Sequence, residues 1–175
     1  MRPVEHFAVA VIPVLVYTVV RHRRLPSGPG LLLVLLASQL PDIIDKPLAW
    51  TFGIIPSGRM LAHSVVVAVP ILVVGTAIAA RKGAGRRAVL FSLVYLAHIA
   101  GDFYQLLWKG RDAYFYPNLF WPLMEANPDL NPSFAANAPP NDMFILVSLV
   151  VFPLVVLYGL VHVVLSRRQN GDWHS

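Results

Sequence analysis

Asp42 and Asp45 stand three residues apart, directly behind the uninterrupted small-or-apolar run 30–37, in the stretch Ser38-Gln39-Leu40-Pro41-Asp42-Ile43-Ile44-Asp45-Lys46-Pro47. Charge is costly in or beside hydrocarbon, so an unforced aspartate pair in such a place marks a functional site. Partners for it occur elsewhere in the chain: His6, Arg59, His63, His98 and Asp102. His98 and Asp102 are spaced i, i+4, so on a helix both side chains leave one face. Arg59 and His63 have the same spacing, and Asp42 and Asp45 share a face if helix continues past Pro41. Carboxylates and imidazoles without any cysteine suit zinc, with manganese or iron next, in a site with open positions. A divalent ion would help three aspartates stay ionised together near lipid. It would also bring the pKa of bound water near neutrality and so supply a nucleophile. The planar fork of Arg59 suits two oxygens of a phosphate, and one of Asp42, Asp45 or Asp102 would serve as general base.

Each of these residues also has a plainer reading. His162 reads as a lone core histidine, and His22 and His174 as solvated loop and tail residues. Lys46 reads as an interfacial side chain that snorkels to the headgroups, and Arg59 is open to the same reading. Asp42 alone would serve as a cap for the following turn. Ser64 and Gln105 read as ordinary helix–helix hydrogen-bonding groups. His63, His98 and Asp102 resist such readings together, because three ionisable groups in two apolar segments need each other or a metal.

The elements that must position them are membrane helices. Hydrophobic residues make up 57% of the 175-residue chain and charged residues 13%, against roughly 45–50% and about 25% in soluble domains. Continuous apolar runs near the ~20 residues that cross a bilayer indicate helices rather than a barrel. The expected fold is a single all-α transmembrane domain over 1–175, a helical bundle of five spans with one long aromatic-rich external loop. The spans are expected at about 6–20, 30–40, 60–80, 88–108 and 143–165. The first reads as a retained helix rather than a cleaved signal, since no small-x-small site comes after it. The second is short for a full span and is expected to tilt, to continue through Ile44 or to lie buried among the others. The stretch 47–56, broken by prolines and a glycine, suits an interfacial or re-entrant piece. The loop 109–142, too long to be structureless in a compact domain, is expected to roof the site.

Charge gives the orientation. Lys and Arg number five on the side of the N-terminus and of the loop 109–142 (Arg2, Lys46, Arg59, Lys109, Arg111) and nine on the other. That bias makes the N-terminal side external and the basic loops cytoplasmic. Eight of the nine acids then fall on the external side, which puts His6, Asp42, Asp45, Arg59, His63, His98 and Asp102 in one leaflet. The net charge of +5 resides at helix ends and comes with no nucleic-acid motif, so nucleic acid is not an expected partner.

An early His, then Leu-Pro-Asp-x-x-Asp, Gly-Arg-x-x-x-His-Ser, His-x-x-x-Asp and an aromatic Trp-Pro, running from His6 to Trp121-Pro122, resembles the YdjM-type membrane-bound metal-dependent hydrolases. That family is itself similar, distantly, to zinc-dependent phospholipase C and related zinc nucleases. The resemblance implies metal roles for His6, Asp42, Asp45, His63, His98 and Asp102. Many members have the carboxylates one residue closer, as Pro-Asp-x-Asp, and a further His where this chain has Gly58. The expectation is a metal-dependent hydrolase of the cell membrane, cleaving a phosphoester of a lipid or lipid-linked substrate in the outer leaflet. Arg59, Asp42 and Asp102 would be catalytic. The alternatives are a metal-ion or proton transport protein built on the same groups, and a non-catalytic membrane scaffold. Oligomeric state is not set by the sequence.

Overall fold

A computed structural model describes residues 3–23 and 28–130, together with 150, 153, 154 and 157. Within them every regular element is a helix, with no strand. Four long helices come first: α1 (Pro3–His22), α2 (Gly28–Lys46), α3 (Val65–Arg81) and α4 (Gly85–Asp102). A π-helical turn at Pro47–Thr51 extends α2, and two one-turn helices, α5 (Leu106–Lys109) and α6 (Tyr116–Leu119), come after α4 with a 3-10 turn at Gly110–Asp112 between them. The expected fifth span, 143–165, falls almost wholly outside the described residues.

Helix boundaries track local chemistry more closely than hydropathy. α3 begins at Val65 rather than Met60 because Ser64, extended at φ −73° and ψ 127°, accepts the Val66 N–H with its hydroxyl and caps the helix. α3 ends at a turn in which Gly83 takes φ +76°, a left-handed conformation that suits glycine. α4 then starts at Gly85 and takes Arg86 and Arg87 into its first turns. It ends at Asp102, and the chain bends by 60° into the segment that begins with α5, where the apolar pattern predicts a straight run to Trp108. α2 passes through Pro41 without interruption, as apolar membrane helices tolerate.

α4 is the hub, packing against α1, α2 and α3. One of its faces joins Leu90 and Val94 to Ala10, Val11, Val14, Val34 and Ala37. Another joins Tyr95 and Ile99 to Ala68 and Leu72 of α3. Both clusters bury small and β-branched side chains, which lets the helices approach closely. The outward faces are apolar too: Val16, Leu32, Leu36, Ile71 and Val73 are all more than half exposed. Exposed apolar surface around a core that holds Ser38, Asp45, His63 and His98 suits a lipid setting. No single described helix is both long and apolar enough to cross a membrane, and only the bent pair Gly85–Asp102 and Leu106–Asp112 reaches the requirement together. The described residues thus show the all-α class, while the number of spans is left open by them.

Candidate metal centre

The successive antiparallel hairpins return the C-terminal ends of α2 and α4 and the approach to α3 to one end of the bundle. Ser38, Asp42 and Asp45, spaced i, i+4, i+7, share one face of α2, because the helix runs on past Pro41. His98 and Asp102 share a face of α4 in the same way. The segment 57–64 between them is shaped by Asp45. Its carboxylate accepts the backbone N–H of Met60 at 3.0 Å, of Ala62 at 2.8 and 3.0 Å and of His63 at 3.2 Å. It also accepts His63 Nδ1–H at 2.8 Å. A buried carboxylate is tolerable only with such partners. Ala62 is held from behind as well, since its carbonyl accepts the Tyr95 hydroxyl at 2.7 Å.

Both imidazoles are thereby fixed in one tautomer. His98 Nδ1 lies 2.6 Å from the Ser38 carbonyl, which can only accept, so Nδ1 carries the hydrogen. In the neutral rings the lone pairs then sit on Nε2, and His63 Nε2 and His98 Nε2 face each other at 3.0 Å. Two lone pairs at that distance repel each other unless a proton or a metal ion is bound there. Asp42 Oδ1 lies 3.5 Å from the first and 3.8 Å from the second. Asp102 Oδ2 lies 3.3 and 3.9 Å from them. Ligand atoms about 2.0–2.2 Å from a tetrahedral ion are spaced by roughly 3.3–3.6 Å, against 3.0–3.9 Å for these five separations. Asp42, His63, His98 and Asp102 could hold a metal ion, with their donor atoms within 4.8 Å of one another.

Two fixed cations border the cluster. Arg59 Nε donates to Asp102 Oδ2 at 3.1 Å, and the guanidinium lies 5.1 Å from the centre of the Phe115 ring. Burial would lower the Arg59 pKa, but the carboxylates of Asp102, Asp129 and Asp42 outweigh it and push the value up. Asp102 ends a helix, where the backbone dipole opposes negative charge; Arg59 offsets that. Lys46 donates to Asp42 Oδ2 at 2.5 Å and lies 5.5 Å from the Trp50 ring centre. It is thus drawn inward onto the aspartate rather than outward to the headgroups as the sequence suggests.

The loop after α4 closes over this end. Asp129 accepts Trp50 Nε1–H at 2.6 Å, the Ser57 hydroxyl at 2.8 Å and the Gly58 N–H at 2.7 Å. Ser64 donates its hydroxyl to the carbonyls of Leu119 and Trp121. Buried Asn118 braces the loop by pairing its side-chain amide with the Asn127 backbone at 2.8 and 2.9 Å. A Cβ at Gly58 would come within 3.1 Å of Lys46 and of the Trp50 ring, so the place of a side chain there is already filled.

Of the residues expected to ligate, the structure brings together Asp42, His63, His98 and Asp102, with Arg59 beside them. Asp45 stands behind His63, its oxygens committed to N–H donors, and is not one of the four. The side chain of His6 lies outside the described residues. Ser64, expected to be a helix–helix hydrogen-bonding group, instead caps α3 and tethers the loop at Leu119 and Trp121. Asp129 does not stand out in the sequence, since nothing in its spacing ties it to partners more than seventy residues earlier. Trp50 and a Gly-containing turn facing a long acidic loop are the faint signals present.

No curated protein and no solved structure matches the chain. The family model described as YdjM inner membrane protein matches residues 1–170, nearly the whole chain, and the protein belongs to that family.

Proposed function

We propose that the protein is a membrane-embedded, metal-dependent hydrolase acting on a phosphoester of a lipid or lipid-linked substrate. The observation that carries this is the meeting of His63 and His98 through their Nε2 atoms at 3.0 Å, with the carboxylates of Asp42 and Asp102 alongside. Asp42, His63, His98 and Asp102 would hold a dication, zinc before manganese or iron given the mixed nitrogen and oxygen donors, which when bound would supply acidified water and polarisation of a phosphoryl oxygen.

The chain's own residues have distinct tasks around it. Asp45 and the Ser38 carbonyl hold the two rings in the tautomer that presents Nε2, a common device around metal-bound histidines. Arg59 is the most accessible charged member, with 24% of its side chain exposed against 0% for Asp102. Its Nε–H is directed at Asp102, and the four N–H groups of its terminal nitrogens are the ones we assign to phosphoryl oxygens. Asp45 is saturated by donors, so the proton released by water falls to a carboxylate oxygen of Asp42 or Asp102. The loop to Leu130 shields this end from bulk solvent, which strengthens each electrostatic contact. The charge bias of the loops supports an external site, entered sideways from the outer leaflet.

Transport is less well supported, because a path away from the cluster would cross the packed apolar residues Val11, Val14, Val34, Leu90 and Val94. Elemental analysis of detergent-purified protein tests the proposal, with turnover of phospholipid and prenyl phosphate substrates measured in parallel. Wild type should retain a divalent ion that His98→Ala and Asp102→Asn lose, and both variants should lose hydrolysis. Absence of bound metal from wild type would sink the hydrolase reading, and metal without turnover would favour the scaffold or transport alternatives.

A further inference from the structure

We propose that Lys46 is a built-in second cation of this centre, so that the cluster takes one divalent ion per chain; the inference rests on the metal-centre reading above. Asp42 divides its two oxygens between two tasks. Oδ1 faces the imidazoles at 3.5 and 3.8 Å, while Oδ2 is bound by the Lys46 ammonium at 2.5 Å. Two-metal centres set their ions about 3.5–4 Å apart, commonly with one carboxylate spanning both. Here the second oxygen of Asp42 already has its cation. On the other flank, Asp102 Oδ2 is shared between the imidazoles and Arg59 Nε.

Lys46 is held in that position. It is one helical turn beyond Asp42, so the backbone of α2 delivers it to the same face. Its stem lies against Gly58, where an added Cβ would meet Lys46 Cγ at 3.1 Å, and its ammonium lies over Trp50. Trp50 is itself pinned by Asp129. Only 14% of the Lys46 side chain is exposed.

Charge balance leads to the same stoichiometry. Asp42, Asp45, Asp102 and Asp129 against Lys46 and Arg59 leave two net negative charges when both imidazoles are neutral. One divalent ion cancels them. A second would leave two positive charges uncompensated in buried surroundings, which is strongly unfavourable.

The test uses the full-length protein in detergent, stripped with chelator and reloaded with Mn2+. Wild type should bind one Mn2+ per chain and give the spin-resonance spectrum of an isolated ion. Lys46→Met should bind Mn2+ about tenfold more tightly or better, because Asp42 regains its full charge at short range, while Lys46→Arg should stay near wild type. Two ions per chain, or the spectrum of a coupled pair, in wild type would overturn the proposal. So would a Lys46→Met protein that binds Mn2+ no more tightly than wild type. Binding of no Mn2+ at all would overturn the metal centre itself, an outcome distinct from both. Wild-type stoichiometry decides the number of ions even if Lys46→Met fails to fold.

Discussion

Asp45 shows how a residue of the right type in the right place can have another role than its spacing suggests. Carboxylates at 42 and 45 look equivalent in the sequence, as two donors on one helical face. In the fold their surroundings differ. Asp42 Oδ1 turns to the imidazoles, whereas Asp45 accepts three backbone N–H groups and His63 Nδ1–H. Asp45→Asn would set an amide N–H2 against donors and remove the charge that orients His63. Metal affinity should fall by about 10–100-fold with stoichiometry unchanged, since such supporting partners carry effects of that size. Metal titration of the variant checks this, and loss of one equivalent of metal would instead make Asp45 a ligand. Among the described residues, the partner of His98 Nδ1 is a carbonyl of α2 at 2.6 Å. That contact ties the tautomer of a residue on α4 to the packing of α2 against it.

Among the elements, the loop from Gly110 to Leu130 is an ordered part of the site. Asp129 reaches back to Trp50, Ser57 and Gly58, and its own N–H donates to the Pro56 carbonyl at 3.1 Å. The turn it pins carries Arg59 next in sequence. Asp129→Ala removes an acceptor from three donors, at a cost of about 1–3 kcal/mol for each buried donor left unsatisfied. Protease cleavage within 110–130 should become faster while helix content by circular dichroism stays at the wild-type level. If Arg59 binds phosphoryl oxygens as proposed, the variant should also show a raised KM. The boundary of α3 belongs to this scale as well. Met60 to Ala80 reads as one apolar run, yet its first five residues leave the helix because Asp45 collects their N–H groups and Ser64 caps the helix at Val65. A hydropathy profile has no way to register either effect.

For the whole molecule, a metal held at the meeting point of α2, α4 and the approach to α3 would cross-link the bundle and couple binding to stability. A ligand of the folded state at 100 times its Kd stabilises by about 2.7 kcal/mol. Chelator should therefore lower the melting temperature of the detergent-solubilised protein, and readdition of metal should restore it. Protons compete for the same imidazole nitrogens and carboxylate oxygens, so apparent affinity should weaken as pH falls. Calorimetric titration at several pH values in buffers of different ionisation enthalpy would read both affinity and proton release.

Much of this is legible in the chain itself. Residue types, the i, i+4 pairing of His98 with Asp102 and the absence of cysteine all come from composition and order. They mark a helical membrane protein with an oxygen-and-imidazole site, because periodicity and charge cost act locally along the sequence. The division of roles is not legible there. Asp42 and Asp45 are separated in function by which N–H groups fold over them, Lys46 by the aspartate one turn behind and the Trp50 ring above it, and Asp129 by partners more than seventy residues away. Those are contacts between elements, set by how α2, α4, the 57–64 segment and the loop pack together, and only the tertiary structure decides them.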